Sequence, residues 1–130
     1  MHELLAVVYR AAKEAKPDAL VITQTPHPAF VDVADMIRLN DMIGGHASVV
    51  PQMRFRAEVV RAAVPDLLID TDDWRIPSRE AWREYLAVKH ELGVPSLYYA
   101  THIDVTGEAL DAADYKALRD AWKRWEAVRS

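Results

Sequence analysis

Three stretches of this chain align with one another without a gap: KPDALVITQT (16–25), VPDLLIDTDD (64–73) and VPSLYYATHI (94–103). Each places a proline second, follows it with a short apolar run, and reaches a threonine at the same offset, Thr23, Thr71 and Thr101. Apolar runs this short, rich in branched and aromatic residues, suit strands buried on both faces, as in a parallel sheet. Proline is cheapest at a strand's first residues, where its missing N–H is not needed by the ladder. Each run follows helical periodicity. Leu4, Leu5, Val8, Ala12 and Ala15 form a stripe before Pro17, and Phe55, Val59 and Ala63 form another before Pro65. A third helix is predicted after Pro77, with Ser78 as N-cap, Trp82, Tyr85, Leu86 and Leu92 inward, and Gly93 as its stop. A last helix carries Tyr115, Leu118, Trp122 and Trp125. HASVV (46–50) is a candidate for one further strand.

Helix and strand in alternation predict an α/β fold of parallel (βα) repeat units. With three to four such units, the expected architecture is half of a TIM-type barrel, the alternative being a small open doubly wound sheet. At 130 residues and 51% hydrophobic composition, residues 1–130 read as a single domain. Net charge is −4 with basic residues spread along the chain, so no electrostatic footprint for nucleic acid is present. No apolar run reaches the length of a membrane span and no signal-peptide layout is visible, which leaves a soluble chain with the cytoplasm as default. Without cysteine, neither disulfides nor thiolate metal sites are possible.

Polar residues collect where each run ends: Thr23, Gln24, Thr25 and His27; Asp70, Asp72 and Asp73; Thr101, His102 and Asp104. In barrels and open α/β sheets alike, ligands bind at the carboxyl ends of the strands. Equal offsets predict that the three ends share one face. Between the first two runs lies ADMIRLNDM (34–42), in which Asp35, Arg38 and Asp41 recur at a spacing that would place them on one side of a helix. The simplest reading of that spacing is a surface ion pair fixing a turn.

In this position the segment resembles the acid/base segment of the α-galactosidase (melibiase-like) clan of glycoside hydrolases, where a loop after the sixth barrel strand supplies the catalytic aspartate. Asp70-Thr71-Asp72 is similar to the clan's Asp-Pro-Asp at the seventh strand, with threonine replacing proline. The stretch SREAWREYLAVKHELGVPSLYYATHIDVTGEALDAADYKALRD has the layout of the last helix, strand and helix of those barrels. The resemblance runs from about Pro17 onward and implies a barrel segment equivalent to strands six to eight. It implies Asp41 as acid/base, with Arg38, Asp70 and Asp72 toward an α-linked sugar, and no cofactor; Trp74 and His102 are read as further sugar contacts from their places at strand ends. The clan's nucleophilic aspartate lies on the fourth strand, for which this chain offers no matching segment. A retaining glycosidase needs two cooperating carboxyl groups, so the chain alone is expected to be inactive: a fragment or subunit of an enzyme, or a noncatalytic half-barrel that self-assembles.

Chemistry apart from the resemblance is compatible with Asp41 as an acid. Met36, Ile37, Leu39, Met42 and Ile43 would desolvate it, while Arg38 would oppose that effect. A metal site built from His27, Asp70, His102 and Asp104 lacks a tight ligand pair, and Gly44-Gly45-His46 lacks the strand and lysine of a phosphate loop. An unclosed barrel would leave an inner face carrying Leu20, Ile22, Leu68 and Tyr98 open to water, which predicts a homo-oligomer or a missing N-terminal half-barrel as partner.

Overall fold

The computed structural model describes residues 1–98 and 101–129. Its elements run α1 (His2–Ala15), β1 (Ile22–Thr23), β2 (Met36–Arg38), α2 (Val49–Ala63), β3 (Leu68–Asp70), α3 (Arg79–Leu92) and α4 (Ala112–Arg129), with 3-10 turns at Pro28–Phe30 and His46–Ser48. The strands form one open parallel sheet in the order β1-β2-β3. Asp70 makes a further parallel bridge to Val94, beside β3. The fold is thus mixed α/β around a small parallel sheet.

The central strand is the segment read above as helical. ADMIRLNDM is extended because β2 is paired on both sides, Met36 with Ile22 and Leu68, Ile37 with Thr23 and Ile69. Alternate residues of a strand face opposite ways, and both Met36 and Ile37 are buried. A left-handed Asn40 (φ 69°) then ends any continuation. HASVV corrects in the opposite sense: Gly45 opens a 3-10 turn, and Val49 and Val50 begin α2.

One core joins the sheet to α2 and α3. Ile37 and Ile69 sit in a single cluster with Met53, Ala57 and Val60 of α2 and with Ala81, Trp82, Tyr85 and Leu86 of α3. On α2 the buried stripe is therefore Val49, Met53, Ala57 and Val60, whereas Phe55 and Val59 of the expected stripe are exposed. Both stripes have helical spacing; the smaller one permits close approach to the sheet. The reading of α3 holds throughout: Ser78 Oγ accepts from Ala81 N at 3.1 Å, Trp82, Tyr85, Leu86 and Leu92 are buried, and Gly93 follows the last turn.

Helix α1 departs from expectation by burying none of its residues. It is tied on by polar contacts. Asp35 accepts from Tyr9 Oη at 3.2 Å, Lys13 Nζ at 2.9 Å and Val21 N at 2.8 Å, joining α1 to the approaches of β1 and β2. On α4, Trp122 and Trp125 are half-buried and meet edge to face, centroids 5.4 Å apart. The third aligned run was expected to be a strand. It contributes the Val94 bridge, and Tyr99 and Ala100 of that run lie outside the described residues. Leu20, Ile22 and Tyr98 are exposed as expected of the face away from α2 and α3, but Leu68 is half-buried.

Candidate functional site

Because the strands are parallel and in matched register, their carboxyl ends form one rim. A cavity of about 560 Å³ opens there, lined by Ile22, Gln24, Arg38, Asp41, Trp74 and Tyr98. Arg38 closes β2, Gln24 follows β1, Asp41 lies in the loop after β2, and Trp74 lies just beyond β3. Three residues singled out by sequence, Arg38, Asp41 and Trp74, therefore meet in one cavity. Asp70 and Asp72 lie behind it, buried. His102 is not among the lining residues; it is exposed, bonded to Thr101 Oγ1 through Nδ1 and bridged to Ala109.

Arg38 organises the charges. Its Nη2 donates to Asp41 Oδ1 at 2.6 Å, and its Nε lies 2.7 Å from Asp72 Oδ2 as an ion pair without hydrogen-bond alignment. The guanidinium also sits over the Tyr98 ring, 5.1 Å from its centroid, within the range of a cation–π contact. Burial works against the Arg38 charge, but the hydrogen bond to Asp41 and the charge of Asp72 outweigh it and hold the cation more firmly than usual. Burial pushes the Asp72 carboxyl up, and the charge of Asp70 adds to this, while the Trp74 N–H and Arg38 oppose it. Tyr98 is pushed well up by burial and by donating its hydroxyl to Asp70 Oδ2 at 2.5 Å, so it remains a donor at neutral pH.

Asp70 and Asp72 have a further task. Asp70 Oδ1 accepts from Asp72 N at 2.9 Å, and Asp72 Oδ1 accepts from Trp74 N at 2.8 Å. These are successive Asx turns, and Asp72 itself is left-handed (φ 47°). The Asp-Thr-Asp-Asp sequence thus bends the chain so that Trp74 reaches the cavity wall. The Asp41 side chain is 41% exposed, whereas that of Asp72 is fully buried. Asp41 is accordingly the one carboxylate among the lining residues that a ligand can touch. Of the apolar neighbours expected to enclose it, Met36, Ile37, Leu39 and Met42 are buried in the core and Ile43 is exposed, while Asp41 itself keeps its partly open position.

Two supports were missed in the sequence. Arg56 on α2 reaches under the β2–α2 loop, its Nη1 donating to the carbonyls of Leu39, Asn40 and Asp41 at 3.0, 3.0 and 2.9 Å. Its signal was its placement three residues from buried Met53 and four from buried Val60, on the buried side of α2. The second is a ladder of side chains that carries Tyr98. Thr71 Oγ1 donates to Val94 O at 2.7 Å and accepts from Ser96 N at 3.3 Å. Asp73 Oδ1 accepts from Tyr98 N at 2.9 Å, and fully buried Lys89 joins Asp73 Oδ2 (3.2 Å) to Ser96 O. The Trp82 indole N–H donates to the same Asp73 oxygen at 2.9 Å. Side chains thus continue the pairing that the backbone begins at Asp70–Val94.

Chemically, the cavity offers two aromatic walls, a fixed cation, and one accessible carboxylate. Among the described residues no three His, Asp or Glu side chains converge as a metal centre requires, and no helix is long and apolar enough to cross a membrane. In comparisons with protein-family models, with curated proteins and with solved structures, the chain matches none.

Proposed function

We propose that the strand-end cavity binds carbohydrate, and that the chain is a glycoside-hydrolase-like (βα) half-barrel related to α-galactosidases, serving α-linked sugars. The observation that carries this reading is the pairing of Trp74 and Tyr98 with the Arg38–Asp41 ion pair around one cavity. A sugar presents C–H faces to aromatic rings and hydroxyls to charged partners, and this wall supplies both. Strands in chain order, β1-β2-β3 with Val94 beyond, support the half-barrel side of the proposal. Asp41 acts as acid/base where a second carboxylate is supplied by a partner half-barrel, and as a hydroxyl acceptor in the isolated chain.

The test is calorimetric titration with methyl α-galactoside. The expected result is saturable binding with a Kd on the order of 1 mM, lost in Trp74→Ala and weakened in Asp41→Asn. Absence of binding across a panel of methyl α-glycosides would refute the carbohydrate reading. Hydrolysis of aryl α-galactosides by the isolated chain is expected at background. Clear turnover abolished by Asp41→Asn would instead show that a nucleophile lies within the chain.

A second reading, a noncatalytic half-barrel that assembles with its own copies, is favoured by a specific feature. The free edge at β1 carries exposed Leu20 and Ile22, and α1 exposes Leu4, Val7 and Val8. Apolar edges of this kind are where sheets extend across chains.

A further inference from the structure

The cavity does not end at Arg38. Gln24 and Arg38 also line a second hollow of about 170 Å³, which lies between the β1 end and α2. Of its other walls, Asn40 and Arg56 are polar and the rest are apolar. Buried Leu39 and Val60 contribute from below, Pro26 from the loop after β1, and Phe55 and Val59, one helical turn apart, from the α2 face that does not pack on the sheet. Phe55 is 66% exposed and Val59 41%. Three of the polar residues in these walls have partners: Arg56 Nη1 donates to three carbonyls, Arg38 pairs with Asp41 and Asp72, and Asn40 Nδ2 donates to Gln24 O at 3.4 Å; the Gln24 amide stands at the border with the first cavity.

We propose that this hollow is an apolar subsite that receives an aromatic group carried by the ligand of the strand-end cavity. The proposal rests on the carbohydrate reading of that cavity and names the class of molecule it takes, an aryl glycoside. Three observations point to a single flat ring. The volume matches the cavity of roughly 150 Å³ that is known to accept benzene in a protein interior. Gln24 and Arg38 line both spaces, so the hollow adjoins the sugar cavity and a substituent on the sugar has only these two side chains to pass. Phe55 and Val59 at i and i+4 offer a ring a wall with nothing to hydrogen-bond. The sugar is thereby held by charge and the ring by burial, so the two parts of the ligand contribute separately.

Calorimetry comparing phenyl α-galactoside with methyl α-galactoside tests this. Phenyl α-galactoside is expected to bind about ten-fold more tightly, equivalent to roughly 1.4 kcal/mol. Phe55→Ser, on the exposed face of α2, is expected to erase that advantage, leave the methyl glycoside unchanged and keep the wild-type melting temperature. Equal affinities in the wild type, or an advantage that survives Phe55→Ser, would overturn the proposal. So would a drop in oligomer mass in Phe55→Ser, which would assign Phe55 to a contact between copies. If neither glycoside binds, the carbohydrate reading fails, and phenol alone decides the hollow by amide chemical shifts. Movement at Leu39 and Val59 that disappears in Phe55→Ser sustains an aromatic site; no movement overturns it.

Discussion

Gly93→Ala is expected to be the most damaging single-methyl change in the chain. Gly93 is extended (φ 171°), a conformation open to any residue, so backbone preference contributes nothing. The damage is steric. A Cβ at this position would lie 2.7 Å from Ile69 Cβ and 2.9 Å from Ile69 Cγ2, and closer still to the Ile69 carbonyl oxygen. That oxygen is fixed, because it accepts the Val94 N–H at 2.8 Å, and Gly93 N is itself held by Lys89 O at 3.0 Å. Overpacking against side chains costs about 1–3 kcal/mol; with backbone as the wall the upper end applies, about 3 kcal/mol. For a chain of this length 1 kcal/mol moves the midpoint by roughly 4 °C, so the melting temperature should fall by roughly 12 °C. Two controls separate the causes. Gly45 has nothing within 4 Å and a negative φ, so Gly45→Ala should be neutral or slightly stabilising. Gly107 also has open space but sits at φ 71°, so Gly107→Ala should cost about 1 kcal/mol through the backbone alone. The assay is thermal unfolding followed by far-ultraviolet circular dichroism. A Gly93→Ala midpoint within a degree of Gly45→Ala would refute the steric reasoning.

Arg56→Met should release the loop bearing Asp41; methyl α-galactoside binding is expected to weaken about ten-fold, more than in Arg54→Met, whose guanidinium pairs with Glu91 at the surface. Acid stability should depend on Asp35. Burial would raise its pKa, but Val21 N, Lys13 and Tyr9 together hold it below the usual carboxylate range. Its stabilisation is then present above the unfolded value of about 3.9 and is lost as pH falls through the folded value. Asp35→Asn should flatten the urea midpoint between roughly pH 5 and pH 2, and an unchanged slope would remove Asp35 from the account. Finally, the exposed apolar residues of α1 and of the β1 edge predict a dimer or larger species by light scattering at micromolar concentration, and a monomer there would count against assembly.

The strands β1 and β3 were legible because an apolar run with proline at its start has few other uses. β2 was not, since Asp35, Arg38 and Asp41 fit helical spacing equally well, and only pairing with Ile22 and Leu68 on either side makes Met36 a strand residue. The α2 stripe was ambiguous in the same way: Phe55 and Val59 and the Met53, Ala57, Val60 set both recur at helical intervals, and the neighbouring surface chooses between them. At the site, Arg38 and Asp41 stood out through a spacing that reads as helical and through the family resemblance, and Trp74 through its place beside a polar strand end. Gln24 was noted among those polar ends, whereas Tyr98 and Arg56 belong to the site through tertiary position. Asp70 and Asp72 were recognised as important but for a different task, since the turn they build is visible only once their oxygens are placed.

The ladder formed by Thr71, Asp73 and Lys89 bears on the order in which the molecule assembles. A backbone ladder can zip as soon as two strands meet, whereas this one takes a rung from α3, because Lys89 bridges Asp73 to Ser96. Segment 94–98 pairs with Asp70, Thr71 and Asp73 without α3, but gains its last partner, Lys89, only once α3 has docked, so its ladder is completed late in folding. Once formed, it cannot open without exposing the ammonium–carboxylate pair beneath. The amide proton of Tyr98, near the surface yet bonded to Asp73, should then exchange with solvent at the slow rate of the helical core and not at the rate of a loop.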